Sequence, residues 1–181
     1  EIYTLSLHDA LPISSLVRKG VKISPILYGG KQERGVRAGT ENLLAIVGIG
    51  EASSFVHENL TSLIKHNIKI RDYCIGQLFN TFQDIRLNGP VERRLPNNVN
   101  ISFKNINGRD LVNLLGFRNI CTSSGSACMS GEFSRSHVLE AIGVSDEYIE
   151  GALRITVGRD TLESDIDFTI SALKEIINQL H

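Results

Sequence analysis

Two hydrophobic periods alternate along the chain. From Glu41 the spacing is helical: Leu43, Ile46, Val47 and Gly50 share a face, and Leu60, Ile64, Ile68, Ile75, Leu78 and Phe82 continue it. That pattern predicts one long or bent helical run over about residues 41–82, of the kind that connects two lobes. Elsewhere the period drops to two. In "NNVNISF", Val99, Ile101 and Phe103 alternate with polar residues, and in "ALRITVG", Leu153, Ile155 and Val157 oppose Arg154 and Thr156. Both segments read as half-buried strands.

Shorter signals fill the rest. "SLVRKGVKISPILYGG" predicts a short strand, a basic turn at Arg18-Lys19-Gly20 and an extended piece ending at Gly29-Gly30. "RLNGP" carries a turn signal. Leu111, Leu114 and Leu115 mark one side of a helix near 109–116, which Gly116 can close. "SHVLEAIG" is a compact helix with Ser136 as N-cap and Gly143 as its stop. The last segment places Ile166, Ile170, Leu173, Ile177 and Leu180 on one helical face, with Thr161 as the expected N-cap. Helices and strands interleave, so the fold class is α/β or α+β.

Composition narrows the partners. A formal net charge of −1 gives no reason to expect direct nucleic-acid or membrane-surface binding. No apolar run approaches the ~20 residues that span a bilayer. Three cysteines, Cys74, Cys121 and Cys128, form no even-numbered disulfide framework and favour a reducing, cytoplasmic setting. Their spacing lacks the paired look of a structural zinc site, so no metal is expected. The opening "EIYTLSLHDALPIS" has no basic region of the signal-peptide kind. It resembles the reading-frame translation of a sequencing-library adapter, so residues 1–14 are expected to be non-native.

Candidate chemistry begins at "SSGSACMSG". Cys128 sits among small and hydroxylated residues, whereas structural cysteines usually have larger apolar neighbours. A thiolate nucleophile in such a loop could meet a substrate and then a second protein, although a small apolar filler has the same local sequence. Cys74 and Cys121 read as structural, the latter as the end of a buried strand. Arg154, on the polar face of a strand, can offer a planar fork to a carboxylate or simply face solvent. In "QERGVRAGT", glycines permit close backbone approach while Arg34, Arg37 and Thr40 offer donors to an anion such as phosphate, and a solvated charged turn fits equally. His66, His137 and His181 show no ligand spacing. His137, nine residues after Cys128, is the one histidine placed to be a proton donor.

Taken together, "YGGKQERGVRAGTEN", "SSGSACMSGEFSRSHVLEAIG" and "ALRITVGRDTLESDID" resemble, in order, the motifs of NifS/IscS-like cysteine desulfurases, pyridoxal-phosphate enzymes of the class V aminotransferase group. The likeness covers about residues 16–180. It implies the C-terminal portion of a type I pyridoxal-phosphate transferase fold. Residues 15–40 would end the large domain, 41–82 connect, and 83–181 form the small C-terminal α/β domain. By the resemblance, Cys128 is the persulfide-forming cysteine, Arg154 binds the substrate carboxylate, and Thr40 reaches the pyridoxal phosphate of the neighbouring subunit in a homodimer. The implied reaction converts L-cysteine to L-alanine, with the sulfur passed to an iron–sulfur scaffold or another acceptor, for clusters or tRNA thiolation.

The departures bear on activity. The family's Schiff-base lysine would fall near Leu5, inside the segment expected to be non-native, and no lysine precedes Lys19. The large-domain residues that hold the cofactor ring have no counterpart, so this chain by itself is expected to be inactive. Arg135 stands where the family often has proline. The alternatives are a selenocysteine lyase or another class V aminotransferase, and a non-catalytic fragment that keeps only a surface for a sulfur acceptor.

Overall fold

The computed structural model describes residues 2–5, 14–124 and 136–180. It divides into two compact units, one through Leu60 and one from Thr61 onward.

In the first unit, β1 (Ile2–Leu5) pairs antiparallel with β2 (Ser14–Val17), Ile2 opposite Val17. Part of the segment expected to be non-native is thus paired through its backbone. Gly20 takes the left-handed φ of 95° at the expected basic turn. Residues 21–31 are irregular, a tight turn with left-handed residues spans Gln32–Gly35, and α1 (Leu43–Thr81) begins shortly after. The helix lies within two residues of the predicted limits. Its first turns bury nothing: Leu43, Leu44, Ile46 and Val47 are all exposed.

The second unit holds the core. The last turns of α1 bury Ile70, Cys74 and Leu78. They meet an antiparallel sheet of β3 (Ile85–Leu87), β4 (Asn98–Phe103) and β5 (Ala152–Thr156), in the order β3-β4-β5. Both alternation patterns hold. Val99, Ile101 and Phe103 point inward from β4, Leu153, Ile155 and Val157 from the β5 segment, while Arg154 and Thr156 are exposed. Against the same core lie α2 (Gly108–Gly116), through Leu111 and Leu115, and α5 (Glu163–Leu180), through Ile166, Ile170, Leu173 and Ile176. Each such side chain contributes ~1.5–3 kcal/mol by leaving water. Phe82 meets Phe103 edge to face, with ring centroids 5.4 Å apart.

A smaller cluster forms around Leu139 of α3 (His137–Ala141), Val144, Ile149 of α4 (Asp146–Ile149) and Ala152. Ser136 caps α3 as expected, its hydroxyl accepting from the Leu139 N–H, and Gly143 leaves the helix at φ 72°. Two glycines, Gly108 and Gly151, are required for space rather than torsion. A Cβ on Gly151 would collide with the Phe103 carbonyl, whose own N–H donates to the Gly151 carbonyl at 3.0 Å.

Three local expectations are corrected. Thr161 does not cap α5: its hydroxyl accepts the Gly158 N–H, and the Asp165 carboxylate reaches back to the Leu162 N–H. Leu180 is exposed, because the buried stripe of α5 ends at Ile177. Cys121 lies in an exposed position after α2 rather than at a buried strand end.

Candidate functional site

Cys128, the leading candidate, lies outside the described residues, as does Arg135. What precedes that stretch is well placed. The N–H of Arg154 donates to the Ser123 carbonyl at 2.6 Å, and the Ser123 N–H donates back to the Arg154 carbonyl at 3.1 Å. This isolated antiparallel bridge lengthens the sheet by one pair at its β5 edge. Ser123 is the first residue of "SSGSACMSG", so the root of the cysteine-bearing stretch is pinned to the backbone of the candidate arginine.

Arg154 is held by both neighbours. On its other side it pairs with Asn100 of β4. Its side chain is exposed, and among the described residues the guanidinium makes no hydrogen bond or ion pair. A strand with backbone partners on both edges therefore presents a planar cation that is unengaged among the described residues, an arrangement suited to bidentate carboxylate recognition.

Thr40 belongs to the first unit. The loop before it has an unusual backbone: Glu33, Arg34 and Gly35 are successively left-handed, at φ 49°, 58° and 81°. Two of them are not glycine, so the loop stores steric strain. Gly39 is also left-handed at φ 102°, and its N–H donates to the Gln32 side-chain oxygen at 3.2 Å. Arg37 turns back to its neighbour, donating to the Ala38 carbonyl. Thr40 is exposed, and its hydroxyl has no partner among the described residues. Arg34, Thr40 and the looped backbone can face an oxyanion. They offer no apolar wall, since no residue from Val17 to Leu60 is buried.

The remaining titratable groups separate cleanly. Burial pushes the Cys74 thiol up to about 12, which removes it as a nucleophile at neutral pH. His66 donates from Nε2 to the Thr161 carbonyl at 3.1 Å and so ties α1 to the turn before α5. His137 is exposed at the start of α3. The Asp167 carboxylate, accepting from the Tyr73 hydroxyl at 2.7 Å, raises that phenol above its ordinary range.

Cys121 borders an open cleft of about 360 Å³ shared with Thr122, Ile155, Thr161, Asp165 and Phe168. Thr122 Oγ1 is buried there without a hydrogen-bond partner. Among the described residues the cleft is lined by no cation or histidine and by one carboxylate, Asp165, which already serves the α5 terminus. Sequence reading missed this exposure because "NICTS" has the apolar look of a strand end. Among the described residues no three His, Cys, Asp or Glu side chains group as metal ligands. Nor is any described helix long and apolar enough to cross a membrane.

The family model described as Aminotransferase class-V matches residues 16–168. Cysteine desulfurase IscS of Dictyoglomus turgidum is 40% identical over 164 residues, 91% of this chain and 42% of that protein. A cysteine desulfurase of Trichormus azollae is 43% identical over the same length, covering 91% and 41%. Among solved structures, a NifS-like protein superposes with a TM-score of 0.79 at 35% identity, covering 91% of this chain and 42% of its own. A NifS-like protein of Rickettsia africae gives 0.75 at 31% identity, over 87% and 41%. The chain thus spans about two-fifths of the length of the curated relatives it matches.

Class V aminotransferases depend on pyridoxal phosphate. The described residues fit one edge of that cofactor only. The exposed Thr40 loop suits the phosphate, but no residue from Val17 to Leu60 is buried, so these residues offer the ring no dry, walled site.

Proposed function

The class V aminotransferase family is the one this chain belongs to, and on that premise we propose that it is the C-terminal portion of a cysteine desulfurase. The observation that carries the reading is the Ser123–Arg154 bridge, which fixes the root of the cysteine-bearing stretch beside a guanidinium that has no partner among the described residues. Arg154 would hold the carboxylate of L-cysteine, and Cys128 would accept its sulfur. The exchange balances: the substrate leaves as L-alanine with one proton in place of sulfur, and the Cys128 thiol becomes a persulfide.

The cofactor chemistry belongs to the portion of the relatives that this chain does not span. Thr40 would contribute to the phosphate of a second subunit in a homodimer. The exposed apolar start of α1, at Leu43, Leu44, Ile46 and Val47, supports a larger assembly, since such a face is normally covered. An iron–sulfur scaffold or another sulfur acceptor in the cytoplasm completes the reading.

The test has two arms. The 181-residue chain with pyridoxal phosphate and L-cysteine should release no sulfide above a protein-free control. A chimera, with the preceding region of the Dictyoglomus turgidum relative fused ahead of residues 16–181, should release it. In the chimera, Cys128→Ser should abolish a one-sulfur mass gain on the Cys128 peptide. Arg154→Lys should weaken substrate binding about tenfold or more, the equivalent of one charge-assisted hydrogen bond. Normal sulfur transfer in the Cys128→Ser chimera overturns the proposal.

A further inference from the structure

Strand register places a polar row across the face of the sheet that is turned away from the main core. Asn88 directly follows β3, and its N–H donates to the Asn100 carbonyl at 2.9 Å. Asn100 in turn stands opposite Arg154, and Arg154 opposite Ser123. Directly opposed residues on one sheet face have Cβ atoms about 5 Å apart, so neighbouring side chains of the row are close enough to reach one small ligand.

The amides in this row are not interchangeable surface groups. Asn88 is only 6% exposed. Its Nδ2 donates to Asn100 Oδ1 and to the fully buried Ser102 Oγ, both at 2.8 Å. Asn88 Oδ1 is left buried with no hydrogen-bond partner. The reversed amide would instead orphan a buried NH2, which is less well tolerated than an under-satisfied carbonyl oxygen. With its Oδ1 engaged by Asn88, Asn100 must turn its NH2 away from that partner. Among the described residues nothing accepts from it. Two sets of N–H donors without partners among the described residues, the Asn100 amide and the Arg154 guanidinium, therefore stand side by side on the sheet.

We infer that Asn100 is a second carboxylate-recognising residue beside Arg154, held as a donor by the buried Asn88–Ser102 pair. The ligand class is a small α-amino carboxylate. A carboxylate has about four lone-pair sites, of which a guanidinium fork uses two, leaving one oxygen free to accept from an amide at its side. Asn88 is a positioning residue: it does not reach the ligand, and it acts by deciding which end of the Asn100 amide faces outward. The inference rests on the assignment of Arg154 to the substrate carboxylate, and it adds a specificity element to that site.

The experiment uses the whole 181-residue chain, labelled with nitrogen-15 and titrated with sodium acetate against sodium chloride at matched ionic strength. The Asn100 side-chain NH2 and the Arg154 Nε–H should shift together and fit one dissociation constant. Asn100→Ala should weaken acetate binding about fivefold, the affinity equivalent of one ordinary hydrogen bond. Asn88→Ala should abolish the acetate response of the Asn100 NH2 while the Arg154 Nε–H still titrates. A purely structural role for Asn88 would lower the melting temperature without separating those two signals. If Arg154 titrates while Asn100 stays silent, or if Asn100→Ala binds acetate as the wild type does, the inference is overturned and the role of Arg154 stands. If neither signal moves, the carboxylate role of Arg154 falls, and this inference with it.

Discussion

The alkaline stability of the second unit should be governed in large part by one thiol. Cys74 is completely buried in α1, one turn before Leu78, and its surroundings push the thiol from an ordinary 9.0 up to about 12. Desolvation is the cause, because no cation or donor offsets the loss of water around a thiolate. The sign follows directly. Below pH 9 the thiol is protonated in both folded and unfolded chains, and its contribution is complete. Between 9 and about 12 the unfolded chain sheds this proton while the folded chain keeps it, so folding stability falls as pH rises. Each pKa unit corresponds to about 1.4 kcal/mol, so the full effect is about 4 kcal/mol and that at pH 10.5 about 2 kcal/mol. Against a total stability of ~5–15 kcal/mol, that is a large share.

Other groups titrate in the same window, so the readout is a difference. Urea unfolding of the wild type and of Cys74→Ala, followed by circular dichroism under reducing conditions, gives two stabilities at pH 8 and two at pH 10.5. The variant should be weaker at pH 8 by roughly 1 kcal/mol, from lost contacts and the small void. The wild type should then lose about 2 kcal/mol more than the variant on raising the pH, closing or reversing the gap. Parallel losses in the two proteins would refute the buried, uncompensated thiol.

Two further outcomes rest on single features. Iodoacetamide should alkylate Cys121 in the native chain, whereas Cys74 should react only after denaturation; peptide mass mapping that finds Cys74 modified first would contradict the packing of α1. Gly151→Ala should destabilise by about 2 kcal/mol or more, because the added methyl meets the Phe103 carbonyl and the neighbouring backbone must move. An unchanged melting temperature would mean that the Gly151–Phe103 approach is looser than described.

The long helix was legible because its helical signal repeats along most of its length. The β4 and β5 patterns were legible because Val99, Ile101, Phe103, Leu153 and Ile155 enter the main core at alternate positions, although Ser102 and Ala152 are buried on the other face as well. Short elements left less trace. The three residues of β3 hide in a stretch that reads as a turn, and Asp146–Ile149 is one helical turn with no second apolar repeat. The cap of α2 is Asn107, whose side chain accepts from the Arg109 N–H at 2.9 Å, a signal present in "INGRD" and easily passed over. Cys121 misled because burial is a tertiary property: the same apolar neighbour, Ile120, serves a strand end or an open loop. Arg154 and Cys128 stand out as candidates from their local sequence and from motif order, whereas Asn88 and Asn100 stay invisible until register sets them in one row.

Register is also what makes this part of the molecule exacting. On β5, Leu153 and Ile155 enter the core while Arg154 leaves it, and the same backbone pairs Arg154 with Asn100 on one edge and Ser123 on the other. A slip of one residue between β4 and β5 would turn Arg154 into the core and bring two leucine-sized side chains into water. It would also unpair Ser123 and release the root of the cysteine-bearing stretch. The packing that stabilises the sheet and the geometry that would bind a carboxylate thus depend on one alignment. Core substitutions at Leu153 or Ile155 should accordingly disturb the candidate site as well as the stability, although neither side chain reaches the exposed face.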